Sequence, residues 1–459
     1  MRGILLLFFI FLMSEIAFSL TVILVGISPG ISLNNFPPVE SSYTPDLYDL
    51  LRYHSLPPFG KAGFKINSEH LEAVMFIEAR QDFSAFMMGK DFSNFPFSAD
   101  SWFPFFDSNY PRVGYAQWSS KDFLVSIGRR KLKWGPATYD IGLSSIPIYY
   151  DHLWLQFNND TKFGNFEYYF FAISADRSVY SAPKTLFGHK WGVSGDSFRL
   201  SFAEENLIYG VYPDLQDIGP FIIYHHSFQS HSNVMFFITA EVLLKSFRIY
   251  GEFGLDEFKL PTEGENSRPT AFGWLAGIEW SYGKSGPSER IKEYLEDFVL
   301  SERTFSTRSE LKLKYEFYYT TPYLYNRNSD IGKFTYPFRL NVMWFGMWPD
   351  IDFFFGFPYG PDVSLHLLSF LWNKGNFEFS SRLEFMMIGD YGIDSPYYAP
   401  YEHDWYKLVE PTRNFIVFSN KLKYYPKADW GIYAGISIRL ADDELRWRIN
   451  TGVSKIYTF

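Results

Sequence analysis

Histidines, hydroxyls and carboxylates at close spacing are where catalysis would be sought. Asp362, Ser364 and His366 occupy alternate positions. On a strand such positions share a face but stand about 6.5–7 Å apart, outside the hydrogen-bond reach a nucleophile needs from its base. His225 and His226 are adjacent, so they point to opposite faces and cannot chelate together. Glu252 and Asp256 are four positions apart, roughly 13 Å along a strand, whereas a retaining glycosidase pair needs about 5 Å. Phosphate-loop and HExxH patterns are missing from the sequence. With 9 His and no Cys, a disulfide scaffold is impossible and a zinc site would have to be built from His and carboxylates. The expectation is a protein without catalytic residues, metal or cofactor.

A different chemistry is written in charges at every second position. By parity Arg130, Arg199, Glu205, Arg248, Glu252, Asp256, Lys312, Lys314, Arg382, Glu384, Arg446 and Arg448 share one face of their segments. Such a face either solvates an interior through salt bridges or meets hydroxyls and carboxylates of a glycan, for which the arginine fork is well shaped. The candidate ligand-binding residues are Arg130, Trp134, His189, Trp191, Glu205, Arg248, Glu252, Asp256 and Arg382. Trp134 would offer a ring face to sugar C–H groups; its other reading is an aromatic wedged at a Gly-Pro turn. His189, Lys190 and Trp191 read first as strand packing and second as ligand contacts.

The elements that must position these residues alternate. Phe377, Phe379, Leu383 and Phe385 oppose Asn376, Glu378, Ser380, Arg382 and Glu384. Leu311, Leu313, Tyr315, Phe317 and Tyr319 oppose Glu310, Lys312, Lys314, Glu316 and Tyr318. Phe247, Ile249, Phe253 and Leu255 oppose Arg248, Tyr250, Glu252 and Asp256. Alternation over about 10–13 residues matches a tilted membrane strand better than the shorter strands of soluble sheets. Aromatic residues gather near segment ends, at Tyr315 to Tyr323, Tyr397-Tyr398 and Tyr424-Tyr425, as in interfacial girdles. The chain carries 50 Phe, 33 Tyr and 13 Trp among 459 residues, 21% aromatic, with a net charge of −9. This balance excludes a disordered chain and argues against nucleic-acid binding. A sheet in lipid cannot leave an open edge. The fold expected is all-β: a large antiparallel transmembrane β-barrel of about 18 strands, 16 being the alternative, with short helical insertions.

Residues 1–19 have the form of a secretory signal peptide, with a positive start, an apolar run from Ile4 to Met13 and a small-residue site at Ala17 to Ser19. A second apolar stretch, Leu20 to Ile27, leaves open an uncleaved anchor. Residues 20–60 are expected to be a periplasmic segment with a short helix at Pro45–Tyr53, and 61–459 to be the barrel. The candidate strands run from Leu71–Arg80 to Leu445–Phe459 and include Pro220–Ser230; Phe334–Trp344 is a candidate that either spans the membrane or belongs to a surface loop, and a further helix is expected at Ser288–Glu302. Leu445, Trp447, Ile449, Val453, Tyr457 and Phe459 form the apolar face of the last strand. A terminal Phe on such a strand is similar to the assembly signal of bacterial outer-membrane barrels. It implies periplasmic termini, with Asp390 to Pro411 an extracellular loop.

Gly128 to Pro136 reads GRRKLKWGP and is followed by IGLSSIP at Ile141–Pro147. This resembles the signature of the Wzi-type capsule assembly proteins, G-[RK]-x4-W-G-P followed by a Leu-Ser element and Pro. Leu186 to Trp191, Phe202 to Gly210, Tyr250 to Asp256 and Phe357 to Asp362 resemble further pieces of that family in order. The likeness covers most of 110–459; Ala137 and Glu257 depart from it, standing where Gly and Asp are common. The resemblance implies a lectin-like outer-membrane barrel that holds capsular or other surface polysaccharide. Its partners would be that glycan, outer-membrane lipid and lipopolysaccharide-type molecules, and the barrel assembly machinery. A porin or uptake channel is the alternative function, and a barrel tying the membrane to an envelope layer is a third.

Overall fold

The computed structural model describes residues 20–35, 58–80, 94, 97–98, 101–104, 112–145, 149–162, 164–175, 182–219, 221, 223–224, 231–264, 266–283, 310–338, 351–399, 401, 406–427, 429–442 and 444–459. The alternating segments become strands β1 (Leu20–Ile27), β2 (Gly30–Asn34), β3 (Gly60–Asn67), β4 (Leu71–Ala79), β5 (Phe97–Ser98), β6 (Ser101–Pro104), β7 (Val113–Ser119) and β8 (Phe123–Arg130). They continue as β9 (Tyr150–Thr161), β10 (Gly164–Ser174), β11 (Lys184–Ser194), β12 (Phe198–Tyr209), β13 (Ser232–Leu244), β14 (Phe247–Glu257), β15 (Ala271–Tyr282) and β16 (Glu310–Thr320). The last are β17 (Thr335–Phe338), β18 (Ile351–Phe354), β19 (Val363–Lys374), β20 (Phe377–Ile388), β21 (Arg413–Lys427), β22 (Trp430–Ala441) and β23 (Glu444–Thr458). Among the described residues, a short α-helix, α1, spans Leu215–Ile218.

Each wall strand pairs antiparallel with its neighbours, and β23 returns to the first strand. Leu24 faces Thr458 and Gly30 faces Gly452, while Leu20 to Ile27 pair along their other edge with Asn67 to Gly60. β1 and β2 are two pieces of one wall strand, broken at Ser28-Pro29, so the 19-segment sheet is a closed barrel of 18 strands. The hairpins β5–β6 and β17–β18 stand outside this ring.

Two sequence expectations are corrected, and one left open is decided. Residues 20–34, placed in a periplasmic segment, are wall strand, and β3 begins at Gly60. LTVILVGI is a nearly unbroken apolar run, so it hides the period-2 signal. Among the described residues, Pro220–Ser230 contains no strand, and those of Phe334–Trp344, open between wall strand and loop, contribute β17 within a folded-in loop. The segments 1–19, Pro45–Tyr53, Ser288–Glu302 and His225-His226 lie outside the described residues.

The two faces separate as the alternation requires. Ile249, Phe253, Leu313, Tyr315, Leu368, Leu383, Phe385 and Ile449 are exposed on the outer face. Arg199, Glu205, Glu252, Glu316, Glu384 and Arg448 are buried on the inner one. The turns β3–β4, β7–β8, β9–β10, β11–β12, β13–β14, β19–β20 and β21–β22 are two or three residues long and lie at one rim, with Leu20 and Phe459. The long connections 80–112, 210–231, 321–362 and 389–412 join strand ends at the other rim, whereas 283–309, between β15 and β16, joins strand ends at the short-turn rim.

Adjacent positions on β19 should therefore respond oppositely. Leu368→Arg places a cation on the lipid face at mid-strand and should cost about 2–4 kcal/mol. Ser369→Arg, facing the interior, should cost under about 1 kcal/mol. Denaturant titration of the protein folded in liposomes measures both.

Candidate functional site

Two of the long-rim connections fold into the barrel. The first, residues 131–145, follows β8 and is buried at Leu132, Trp134, Ala137, Tyr139, Asp140, Ile141 and Leu143. The second, the described parts of 321–362, carries β17 and β18 and buries Leu324, Tyr325, Phe334, Phe355 and Phe357. With Trp154, Phe171, Leu186, Leu207, Met235, Phe237, Leu275, Leu365 and Phe415 from the wall they form one apolar core inside the barrel.

The wall grips the first loop through polar groups from several strands. Glu252 on β14 accepts the N–H groups of Ile141 (2.7 Å) and Gly142 (2.9 Å). Glu316 on β16 accepts Thr138 N–H at 2.8 Å, and Lys314 donates to Thr138 Oγ1. Lys190 on β11 donates to the Trp134 carbonyl, and Arg382 on β20 to the Tyr139 hydroxyl. The two loops also hold each other. Ser144 N–H donates to Phe355 O at 2.7 Å, and the Tyr325 hydroxyl donates to Ile141 O at 2.5 Å. Gly356 permits this contact, because a Cβ there would come 1.8 Å from Ile141 O.

The interior is graded along its axis. On β20–β22, Met386, Phe415, Val417 and Arg439 near the long-loop rim are buried, whereas Ser380, Arg382, Ser419, Lys421 and Ser437 below them are half-buried. This lower wall is cationic. Arg382, Lys421 and Lys423 point inward, with Lys423 paired to Glu378 at 2.6 Å.

Above the plug, the long-loop rim carries a tyrosine cluster. Tyr323 of the second loop packs on Tyr391 (4.7 Å between centroids) and Tyr401 (5.6 Å). Asp362, at a positive φ of 59°, accepts the N–H groups of Tyr391 (3.0 Å) and Val409 (3.1 Å) and so fixes both ends of the tyrosine loop. Tyr398 and Tyr406 project from it, 67% and 63% exposed.

The sequence-predicted site residues are thus dispersed. Arg382 remains half-exposed in the interior, paired with Glu384 and lying over the Tyr139 ring. Arg248 faces inward against Glu241 at 3.1 Å. Arg130 is buried over Tyr115 and donates to Gln117. Glu252 anchors the plug. Glu205 is buried beneath it, and its carboxylate oxygens meet no hydrogen-bond donor among the described residues. Asp256 binds Arg327 at 2.9 Å and Tyr325 N–H at 2.9 Å, clamping the second loop. Trp134 cannot stack on sugar: it is buried, edge-on to Phe171 at 4.8 Å. His189 and Trp191 are on the outer face, since their neighbour Lys190 points inward. Ser364 and His366 also face outward, and His366 bonds the Tyr315 hydroxyl rather than serine. Tyr397 belongs to the loop cluster and not to a membrane girdle. Tyr398 and Tyr406 were absent from the sequence list, although the Tyr-rich composition of 390–411 pointed to that loop.

No family model matches the chain, and no curated protein matches it. Solved structures do. Wzi of Escherichia coli, an outer membrane protein involved in group 1 capsule assembly and described as a carbohydrate-binding β-barrel, is 11% identical over 97% of this chain and 86% of that one, with a TM-score of 0.54. OccK3 of Pseudomonas aeruginosa is 8% identical over 98% of each chain, TM-score 0.46. OccAB4 of Acinetobacter baumannii is 9% identical over 96% of this chain and 98% of that one, TM-score 0.44. The fold is that of an outer-membrane β-barrel.

Removing the Glu252 carboxylate leaves two plug N–H groups without their acceptor, a loss of about 1–3 kcal/mol each. Glu252→Ala should raise ion current across planar bilayers above that of the parent protein and expose 131–145 to protease. Burial pushes the Asp140 carboxyl up to about 6, against the pull of Lys133, Lys190 and the N–H groups of Gly135 and Ala137. A raised carboxyl pKa means the docked loop holds the proton more tightly than the free loop. Its stabilisation is complete below about pH 4 and fades as pH rises toward 6. Hydrogen exchange, corrected for intrinsic rates, should show 131–145 better protected at pH 5 than at pH 7.5, and Asp140→Asn should remove the difference.

Proposed function

We propose that this protein is a non-enzymatic outer-membrane barrel that binds surface polysaccharide at its long-loop rim. The observation that carries the reading is the filling of the upper interior by the chain's own loops, with the tyrosine cluster seated on one of them. Filling the barrel spends its interior on rigidity. The rim then becomes a fixed platform on which Tyr398 and Tyr406 present exposed rings. Aromatic rings combine a large apolar face with a polar tip and suit the mixed surface of a sugar. Their neighbours Asp394 and Asp390 are also exposed and supply hydrogen-bond acceptors. The short-turn rim, with both ends of the wall, is assigned to the periplasm and the long-loop rim to the cell surface. The likeness to Wzi in fold is in keeping with this reading.

The half-buried cationic wall of β20 and β21 favours a second reading, an uptake channel for anions. Conductance separates the two. The binding reading expects little ion current from the purified protein in planar bilayers and retention of the cell's own surface polysaccharide on immobilised protein. Tyr398→Ala with Tyr406→Ala should weaken retention roughly tenfold, equivalent to about 1.4 kcal/mol, without altering current. Steady porin-like current together with undiminished retention in the double variant would reject it.

A further inference from the structure

The outer face of β10–β13 departs from the rest of the wall. Elsewhere that face is exposed and apolar, but here Tyr168, Phe170, Phe187 and Ile208 are buried. All four belong to the outward parity, so their cover lies outside the barrel. Ile218 and Tyr224, from the connection after β12, supply it. Tyr224 stacks flat on His189, centroids 4.3 Å apart, and its N–H donates to Glu204 at 3.0 Å. His189 and Glu204 face each other across β11 and β12, bonded at 3.0 Å, both pointing outward.

The depth of this cover is set by the strands beneath. Phe221 stacks on Tyr168 at 5.2 Å. Tyr168 stands six residues below Ser174, the long-loop end of β10. At about 3.3 Å per residue and a tilt of about 40°, that is roughly 15 Å down the wall. The apolar band of such a barrel is about 25 Å tall. The segment therefore descends to mid-membrane level. Its exposed side chains include apolar ones, Leu215 at 86%, Phe221 at 76% and Ile223 at 49%, with Asp214 and Gln216 exposed at the helical turn.

We propose that the described residues of Gly210–Tyr224 form a flap embedded in the acyl layer of the outer leaflet, lying between the barrel wall and lipid. The flap's outer side continues the lipid-facing belt of the barrel, which fixes lipid acyl chains as its occupant. Irregular backbone at this depth must be satisfied by protein, and here carboxylates supply part of that. Asp214 accepts the N–H groups of Gln216 and Asp217, Asp217 returns to Asp214 N–H, and Glu204 takes Tyr224 N–H. The flap explains why an outward wall position holds a carboxylate, which lipid alone would penalise.

The chain has no cysteine, so single labels are clean. Leu215→Cys, Ile223→Cys, Leu368→Cys and Tyr406→Cys, each confirmed as a folded barrel, are labelled with the fluorophore NBD and reconstituted in phosphatidylcholine vesicles. Lipids carrying a nitroxide on the acyl chain should quench positions 215 and 223 as strongly as the wall position 368, and leave 406 bright. Quenching at 215 and 223 no greater than at 406 would overturn the proposal. So would quenching blocked at both positions with fluorophore self-quenching between copies, which would assign the surface to a second molecule of this chain.

Discussion

Everything here depends on the ring of backbone hydrogen bonds being complete. Lipid offers no partner to a free N–H or carbonyl, so a sheet that crosses a membrane must meet itself. The meeting point is the seam between the first and last strands. The N–H and carbonyl of Phe459 exchange hydrogen bonds with Ile23 at 2.9 and 3.0 Å. The register then runs through Leu24↔Thr458 to Ile27↔Lys455, and resumes past Ser28-Pro29 from Gly30↔Gly452. The terminal Phe is thus at the closure itself, and the apolar stretch Leu20–Ile27 supplies its partner edge.

Closure fixes which side chains can meet. Once β14 is in register with β13 and β15, Glu252 points inward and Phe253 outward. An inward carboxylate in a wide interior would be solvated and of small structural consequence. Here it becomes an anchor because residues 131–145 fold against it, offering two backbone N–H groups from Ile141 and Gly142. Glu316, Lys314, Lys190 and Arg382 act on the same loop from three other strands. The polar inner face of the barrel serves in large part to satisfy the backbone of its own connections.

That dual use decides what could be read from the sequence. Period-2 alternation is a local property, so Phe247–Asp256, Glu310–Tyr319 and Asn376–Ile388 were legible with their facing correct. The seam strand was not, because LTVILVGI lacks alternation and sits where a signal sequence is expected. Parity also placed Arg382, Arg248 and Glu252 on the inner face. It could not reveal that a loop returns to meet Glu252, since that contact joins residues 110 positions apart. The two readings of Trp134 stayed open for the same reason: only when the loop is seen to fold inward is the ring placed in the core, as an aromatic wedged at its Gly-Pro turn. His189 and Trp191 were selected from a motif, although Lys190 between them fixes their opposite facing.

Loops 131–145 and 321–362 on the inside and Gly210–Tyr224 on the outside obey one rule. In each, a connection leaves the long-loop rim and lies back on the wall. In each, the wall holds out a carboxylate to irregular backbone: Glu252 to Ile141 and Gly142, Asp256 to Tyr325, Glu204 to Tyr224. The carboxylate's side of the wall follows from residue parity, so the neighbouring pair Glu204 and Glu205 serves both faces of one strand. Outward Glu204 has found its loop, while inward Glu205 lies under the plug with no donor among the described residues. An interior that tolerates such a carboxylate is organised around the docking of the loops rather than around the optimum of each group. That order of priorities suits a barrel whose rim must be held still.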